Sequence, residues 1–118
     1  MIVSGKVIAG AGRSRLFGYP TANVDYAGEL DLVPAVYAGH ALVGDDRFAC
    51  VICYGARVVN EKRRFEVHLF DFEGDLYGRD LKVEVGDKCN ELAPIKDETL
   101  LAAKIASDVE KAKEVLGI

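Results

Sequence analysis

The chain has 118 residues, enough for one ordinary domain and too few for two catalytic cores. Half of the residues are hydrophobic and the mean hydropathy is +0.09, which excludes a disordered or fibrous chain. Fifteen Lys and Arg against nineteen Asp and Glu leave a net charge of −4 and a pI near 5.1, so no chain-wide positive field exists to draw nucleic acid or anionic lipid.

The opening Met-Ile-Val-Ser-Gly-Lys carries no cleavage pattern, and no stretch approaches the roughly eighteen apolar residues of a membrane span. A cytoplasmic protein is expected. The first two thirds read as strands, with turn residues between β-branched and aromatic runs: Ile2–Ala9, Tyr19–Val24, Ala35–Val43, Arg47–Cys53, Arg64–Phe72 and Asp80–Val85. Gly44-Asp45-Asp46 and Glu73-Gly74-Asp75 punctuate them. Six short strands suit a closed barrel, since closure removes the edges that an open sandwich, the alternative, would leave exposed. After Pro94 the period changes. Leu101, Ile105, Val109, Ala112 and Leu116 recur at three- and four-residue spacing, with Lys104, Asp108, Lys111 and Glu114 between them. This predicts an amphipathic helix from about Glu98 to Leu116, capped by Asp97, stopped by Gly117 and packed on the barrel. No linker or repeat divides the chain, so residues 1–118 are expected to form a single domain.

Cys50, Cys53 and Cys89 are an odd number without a secretion signal, which favours reduced thiols. Cys50-Val51-Ile52-Cys53 spells a redox and metal motif. On a strand, however, residues three apart point to opposite faces, so the two sulfurs diverge, and no second Cys or His pair completes a zinc site. Small buried hydrophobes are the expected role.

Chemistry is most evident in the segment from Gly10 to Asn23. Gly10 and Gly12 let backbone amides approach an anion, and Arg13 and Arg15 add positive charge, as a phosphate requires. A solvated glycine-rich turn is the competing reading. Neither a P-loop nor a dinucleotide fingerprint is present, because no Gly-Lys-Ser/Thr follows and Arg15 stands where the third glycine should be. Thr21 and Asn23, two apart, present neutral oxygens to one side of an extended chain, which suits Mg²⁺ whose charge is directed at nucleotide phosphates. Further on, Phe65, Val67 and Leu69 face one side of a strand and leave Glu66, His68 and Phe70 on the other. Glu66 is there either a solvated charge or a base beside a reacting hydroxyl. His68 reads as structural, and His40 has no chemical context.

Taken together, Gly5-Lys6-Val7 through Gly10, Gly12-Arg13, Arg15, Gly18 and Pro20-Thr21-Ala22-Asn23 resemble the nucleotide-binding signature of the ATP-dependent riboflavin kinases. Val36-Tyr37-Ala38, Glu66-Val67-His68-Leu69 and Asp71-Phe72-Glu73-Gly74-Asp75-Leu76-Tyr77-Gly78 are similar to the family's later blocks, so the likeness runs from about Gly5 to Asp108. The resemblance implies a mainly β fold, a six-stranded antiparallel Greek-key barrel with a C-terminal α-helix. It also implies phosphoryl transfer from Mg-ATP to the 5′-hydroxyl of riboflavin, giving FMN. Carried over by position, Gly10, Gly12, Arg13 and Arg15 border the ATP phosphates, Thr21 and Asn23 bind Mg²⁺, and Thr21 also touches the nucleotide. Glu66 is the catalytic carboxylate, and Leu69, Asp71 and Tyr77 line the nucleotide pocket. The implied partners are ATP, ADP, riboflavin and FMN, with no nucleic acid and no membrane, and a monomer is expected. Many bacterial members add an adenylyltransferase domain, for which 118 residues leave no room.

The departures from the family pattern gather on the flavin side. Its Arg-Pro-Glu block aligns with Cys89-Asn90-Glu91, so Cys89 replaces a flavin-contacting Arg, and Leu92 and Pro94 occupy the next two contact positions. The family's Pro-Thr or Pro-Tyr after its central glycine is also absent, because Ala56-Arg57-Val58-Val59 follows Gly55. These changes leave two further readings open, a kinase of this fold acting on another small alcohol and a nucleotide- or flavin-binding module without turnover. The retained Thr21, Asn23 and Glu66 favour an enzyme over a binding module.

Overall fold

The computed structural model describes residues 1–8, 21–59, 62–93 and 97–118, with the backbone alone at 56–59 and 98. Six antiparallel strands, β1 (Ile2–Ile8), β2 (Ala22–Tyr26), β3 (Ala35–Val43), β4 (Asp46–Val59), β5 (Lys62–Leu69) and β6 (Asp80–Asn90), close in the order β1-β2-β5-β4-β3-β6. The helix α1 (Glu98–Leu116) follows. β3, β4 and β5 pair consecutively, whereas the chain crosses between β2 and β3 and between β5 and β6, giving the expected Greek-key barrel.

Alternation along each strand fills the interior. Val3 and Val7, Ala22, Val24 and Tyr26, Ala35, Tyr37 and Ala41, Cys50, Ile52 and Tyr54, Phe65, Val67 and Leu69, and Leu81 and Val83 form one continuous core. A second, smaller cluster lies outside the barrel, where Val36, Ala38, Val51 and Phe70 meet Ala112 of α1, with Val109 and Leu116 packed beside them. The helix rests on β3, β6 and β4.

Ala9, Tyr19 and Pro20, placed by sequence in the first two strands, lie outside the described residues, and among the described residues four strands differ from their sequence-based bounds, each for a local reason. β2 continues to Tyr26 because Val24 and Tyr26 keep pointing inward while Asp25 stays out. β4 runs past Cys53 to Val59 because Gly55, at φ 92°, absorbs an irregularity between Tyr54 and Val58 without ending the pairing. Its added Cβ would lie 2.7 Å from the Pro34 side chain. β5 starts at Lys62, paired with Val59 across the hairpin, and stops at Leu69 rather than Phe72 because Asp71 adopts φ 57°. β6 continues from Val85 to Asn90 through two register shifts against β3.

The helix keeps its predicted limits. Asp97 accepts from the N–H groups of Thr99 and Leu100, and Gly117 closes the other end in the left-handed conformation. Lys104 and Asp108, which stand between the apolar positions, do not lie on a solvated face. Their side chains are only 18% and 13% exposed, because they form an ion pair turned toward the barrel, where the opposite charges offset one another.

Candidate active site

The strand registers place Asn23 opposite Glu66, Glu66 opposite Cys53, Cys53 opposite Val36 and Val36 opposite Asn90. Partners in register share a face, so these residues form one transverse row across β2, β5, β4, β3 and β6. The row lies on the outer wall, since their neighbours Ala22, Phe65, Val67, Ile52, Tyr54, Ala35 and Tyr37 fill the interior. Asn23 and Glu66, eligible from the sequence as a metal ligand and a base, are therefore brought together. Thr21 stands immediately before β2 and is half-buried.

Asn23 is 8% exposed, and its Oδ1 is buried without a hydrogen-bond partner. Leaving such an oxygen unsatisfied costs about 1–3 kcal/mol, so a buried carbonyl oxygen facing no donor is suited to a cation. The donor set fits a hard ion such as Mg²⁺, with the neutral Thr21 and Asn23 oxygens two residues apart and a carboxylate across the register.

At the other end of the row, Asn90 donates from Nδ2 to Asp108 Oδ1 at 2.7 Å, Lys104 also donates to Asp108, and Lys111 reaches Asn90 Oδ1 at 3.3 Å. The shifts in β6 turn both Cys89 and Asn90 toward α1, and Cys89 packs with Leu92 against the outer cluster. Cys53 links the two ends of the row. Burial, then Glu66 and Asp108, push its thiol up to about 12, while Lys104 opposes the shift. The fields of the carboxylate on β5 and of the ion pair on α1 thus overlap at this sulfur. Sequence reasoning did not identify Lys104, Asp108 and Asn90 as contributors to this wall. The departure from pattern at positions 89–91 was the available signal.

Cys50, by contrast, points into the barrel core, and burial alone pushes its thiol up to about 12. The two cysteines of the Cys-Val-Ile-Cys run therefore diverge as the strand alternation requires, and all three cysteines are free. Among the described residues no group of three or more His, Cys, Asp or Glu side chains could hold a metal.

The expected nucleotide-pocket residues lie beyond Glu66 toward the other end of β5. Leu69 is buried in the core, Asp71 occupies the exposed turn that ends the strand, and Tyr77 is 66% exposed. Tyr77 is held by its N–H donating to Asp75 Oδ1 at 2.9 Å. The next two residues grip the end of β1: Gly78 donates to the Val7 carbonyl, and Val7 to that of Arg79, each at 2.9 Å. Tyr77 is thereby fixed at the end of β1 from which the glycine-rich segment departs. Gly10, Gly12, Arg13 and Arg15 of that segment, and Pro94 of the acceptor-side trio, lie outside the described residues. His68 stays on the outer face, edge-on to Phe70 with ring centroids 5.6 Å apart, and Lys113 of α1 lies over the same Phe70 ring.

The family model described as "Flavokinase: Riboflavin kinase" matches residues 1–116. A bifunctional riboflavin kinase/FMN adenylyltransferase of Escherichia coli is 34% identical over 119 residues, covering 98% of this chain and 38% of that protein. An RNA-binding riboflavin kinase of Bacillus subtilis is 31% identical over 123 residues, covering 99% of this chain and 53% of that protein. The chain therefore spans well under half the length of its bifunctional relatives. Among solved structures, a Streptococcus pneumoniae protein described as a macrolide-efflux protein superposes with TM-score 0.83 at 26% identity, over 95% of this chain and 38% of that one. The riboflavin kinase of Trypanosoma brucei superposes with TM-score 0.64 at 19% identity, over 98% of this chain and 79% of that one, a likeness of fold. Among the described residues no helix is long and apolar enough to cross a membrane.

Proposed function

The chain belongs to the riboflavin kinase family, and we propose that it transfers the γ-phosphoryl group of ATP to the 5′-hydroxyl of riboflavin, giving FMN and ADP. The observation that carries this reading is the pairing of Asn23 with Glu66 across the β2–β5 register, with the Asn23 oxygen buried and unsatisfied beside a carboxylate. Phosphoryl transfer needs positioning and charge neutralisation more than covalent help, and a neutral oxygen donor next to a base provides the elements of both.

In this reading Glu66 orients the ribityl hydroxyl and takes its proton as the oxygen bonds to the γ-phosphorus and the bond to the β-phosphate oxygen breaks. Thr21 and Asn23 would hold Mg²⁺, which when bound neutralises charge on the phosphates. Gly10, Gly12, Arg13 and Arg15 border those phosphates, while Leu69, Asp71 and Tyr77 belong to the nucleotide end. Cys89, Leu92 and Pro94 belong to the acceptor end. In the same reading the protein acts as a monomer in the cytoplasm, and its net charge of −4 supports a role without nucleic acid.

Incubating the protein with riboflavin, ATP and Mg²⁺ and separating the flavins by chromatography tests the proposal. FMN should appear only when both ATP and Mg²⁺ are present. Unchanged riboflavin, together with phosphoryl transfer to a different small alcohol, would replace riboflavin as the acceptor.

A further inference from the structure

Among the charged residues on the outer face of β5, Arg64 is one for which the chemistry above has no use. It precedes Glu66 by two positions, so strand alternation sends its side chain to the same outer face, about 6.6 Å away along the chain. Arg64 is half-buried, and its Nε is enclosed without a hydrogen-bond partner. Among the described residues the ion pairs engage Arg47, Lys62, Lys88 and Lys104, not Arg64. Continuing the β2–β5 register by two places brings Asp25 opposite Arg64, yet Asp25 pairs with Lys62 at 3.6 Å. A guanidinium enclosed at Nε and left without a carboxylate is suited to a ligand with hydrogen-bond acceptors.

The registers also fix the side of Glu66 on which Arg64 stands. Toward Leu69 the strand leads to Asp71 and the loop holding Tyr77, the nucleotide end. Toward Arg64 the pairs Phe65–Tyr54 and Tyr54–Ala35 lead to Pro34 and Gly55, on the side where β6 ends at Asn90 and the chain continues to Leu92. That is the acceptor side, where Cys89 offers no guanidinium. We infer that Arg64 is an acceptor-binding residue, its N–H groups donating to carbonyl oxygens of the riboflavin ring while the ribityl chain extends toward Glu66. The inference rests on the riboflavin kinase reading.

Riboflavin fluorescence titrations in the presence of Mg·ADP, on the unaltered protein, Arg64→Ala and Arg64→Lys, test it. Arg64→Ala should weaken riboflavin binding about ten- to a hundredfold, the loss expected for a hydrogen bond to a charged group. It should raise the KM for riboflavin while the KM for ATP and the melting temperature hold. Arg64→Lys should recover part of the affinity, because it keeps the charge and loses the planar fork. Unchanged riboflavin affinity in Arg64→Ala, with FMN still formed by the unaltered protein, overturns the inference and leaves the parent reading standing. Parallel loss of riboflavin affinity, ADP affinity and stability also overturns it, making Arg64 part of the scaffold. If the unaltered protein neither binds nor phosphorylates riboflavin, the parent reading fails and the inference fails with it.

Discussion

The two faces of one stretch of barrel wall differ in what their side chains are asked to do. Inward from β5 point Phe65, Val67 and Leu69, all buried in one apolar core. Outward from the same strand point Arg64, Glu66 and His68, half-buried and polar. A period of two thus assigns Phe65 and Val67 to stability and Arg64 and Glu66 to chemistry, and substitutions one residue apart should fail in different ways. Glu66→Gln keeps the shape and removes the proton acceptor, so turnover should fall roughly 10²–10⁴-fold with nucleotide affinity and melting temperature little changed. Steady-state rates of FMN formation, read beside a thermal melt, check this, and a variant keeping more than about a third of wild-type turnover removes Glu66 from the chemistry.

Its neighbour should behave in the opposite way. Phe65 is 1% exposed and touches Tyr26 and Tyr54 at ring-centroid distances of 6.2 and 6.1 Å. Phe65→Ala should cost about 3–5 kcal/mol of stability through the cavity it opens, measured by urea unfolding. The molecules still folded should turn over at close to the normal rate. If activity per folded molecule drops as far as in Glu66→Gln, the division between the faces is wrong.

Asn23 sits on the boundary between the two classes, buried like a core residue yet carrying an orphaned oxygen. Thr21→Ala and Asn23→Ala should each weaken Mg²⁺-dependent ADP binding on the order of tenfold, about 1.4 kcal/mol. The double variant should lose less than the sum, because ligands of one ion are coupled. Asn23→Ala should also leave thermal stability intact, since it removes an unsatisfied group rather than a bond. Calorimetric titration of ADP with and without Mg²⁺ decides the matter, and equal affinity in both conditions for the unaltered protein would make the pair structural.

Much of this wall was legible in the sequence because alternation and spacing are local signals. The inward set Phe65, Val67 and Leu69 and the limits of α1 follow from periodicity and caps alone. What was not legible depends on backbone geometry that no period encodes. The positive φ of Gly55 carries β4 onward past Cys53, and the shifts in β6 rotate Asn90 toward Asp108 of α1, eighteen residues ahead. The burial of Lys104 and Asp108 was not legible for a related reason. Helical periodicity counts apolar side chains as inward, whereas an ion pair four residues apart can be buried as a neutral unit. Within the site, the juxtaposition of Asn23 and Glu66 required the β2–β5 register, a contact between residues far apart in sequence.

Both faces contribute in the same direction to the response to alkali. Cys50 inside and Cys53 outside each hold their proton up to about 12 against an ordinary 9.0, and burial pushes Tyr26 from 10.0 to about 12. The unfolded chain therefore releases these protons first. The associated stability is complete below about pH 9 and is lost as the pH rises toward 12. Urea midpoints should fall between about pH 9 and pH 10.5, and Cys53→Ala should make that fall shallower. An unchanged slope in the variant would show that Cys53 ionises as freely in the folded protein as in the unfolded one.

The smallest expected effect lies at the start of the helix that covers the outer cluster. Asp97, in extended backbone at φ −73° and ψ 128°, accepts from the Thr99 N–H at 2.9 Å and the Leu100 N–H at 3.1 Å, satisfying two of the donors that a helix start leaves open. Its side chain is exposed, so Asp97→Ala opens no cavity and loses the cap alone, about 1 kcal/mol. Asp97→Asn keeps an oxygen in place and should lose much less. The helix reaches the barrel chiefly through Val109, Ala112 and Leu116, three turns beyond the cap, so fraying at Asp97 should leave that packing intact. For a chain of this size the expected change is a fall in melting temperature of about 4 °C with turnover preserved. A fall in turnover larger than the fall in stability would mean that the start of α1 takes part in binding the acceptor, and would extend the outer-face chemistry beyond the barrel wall.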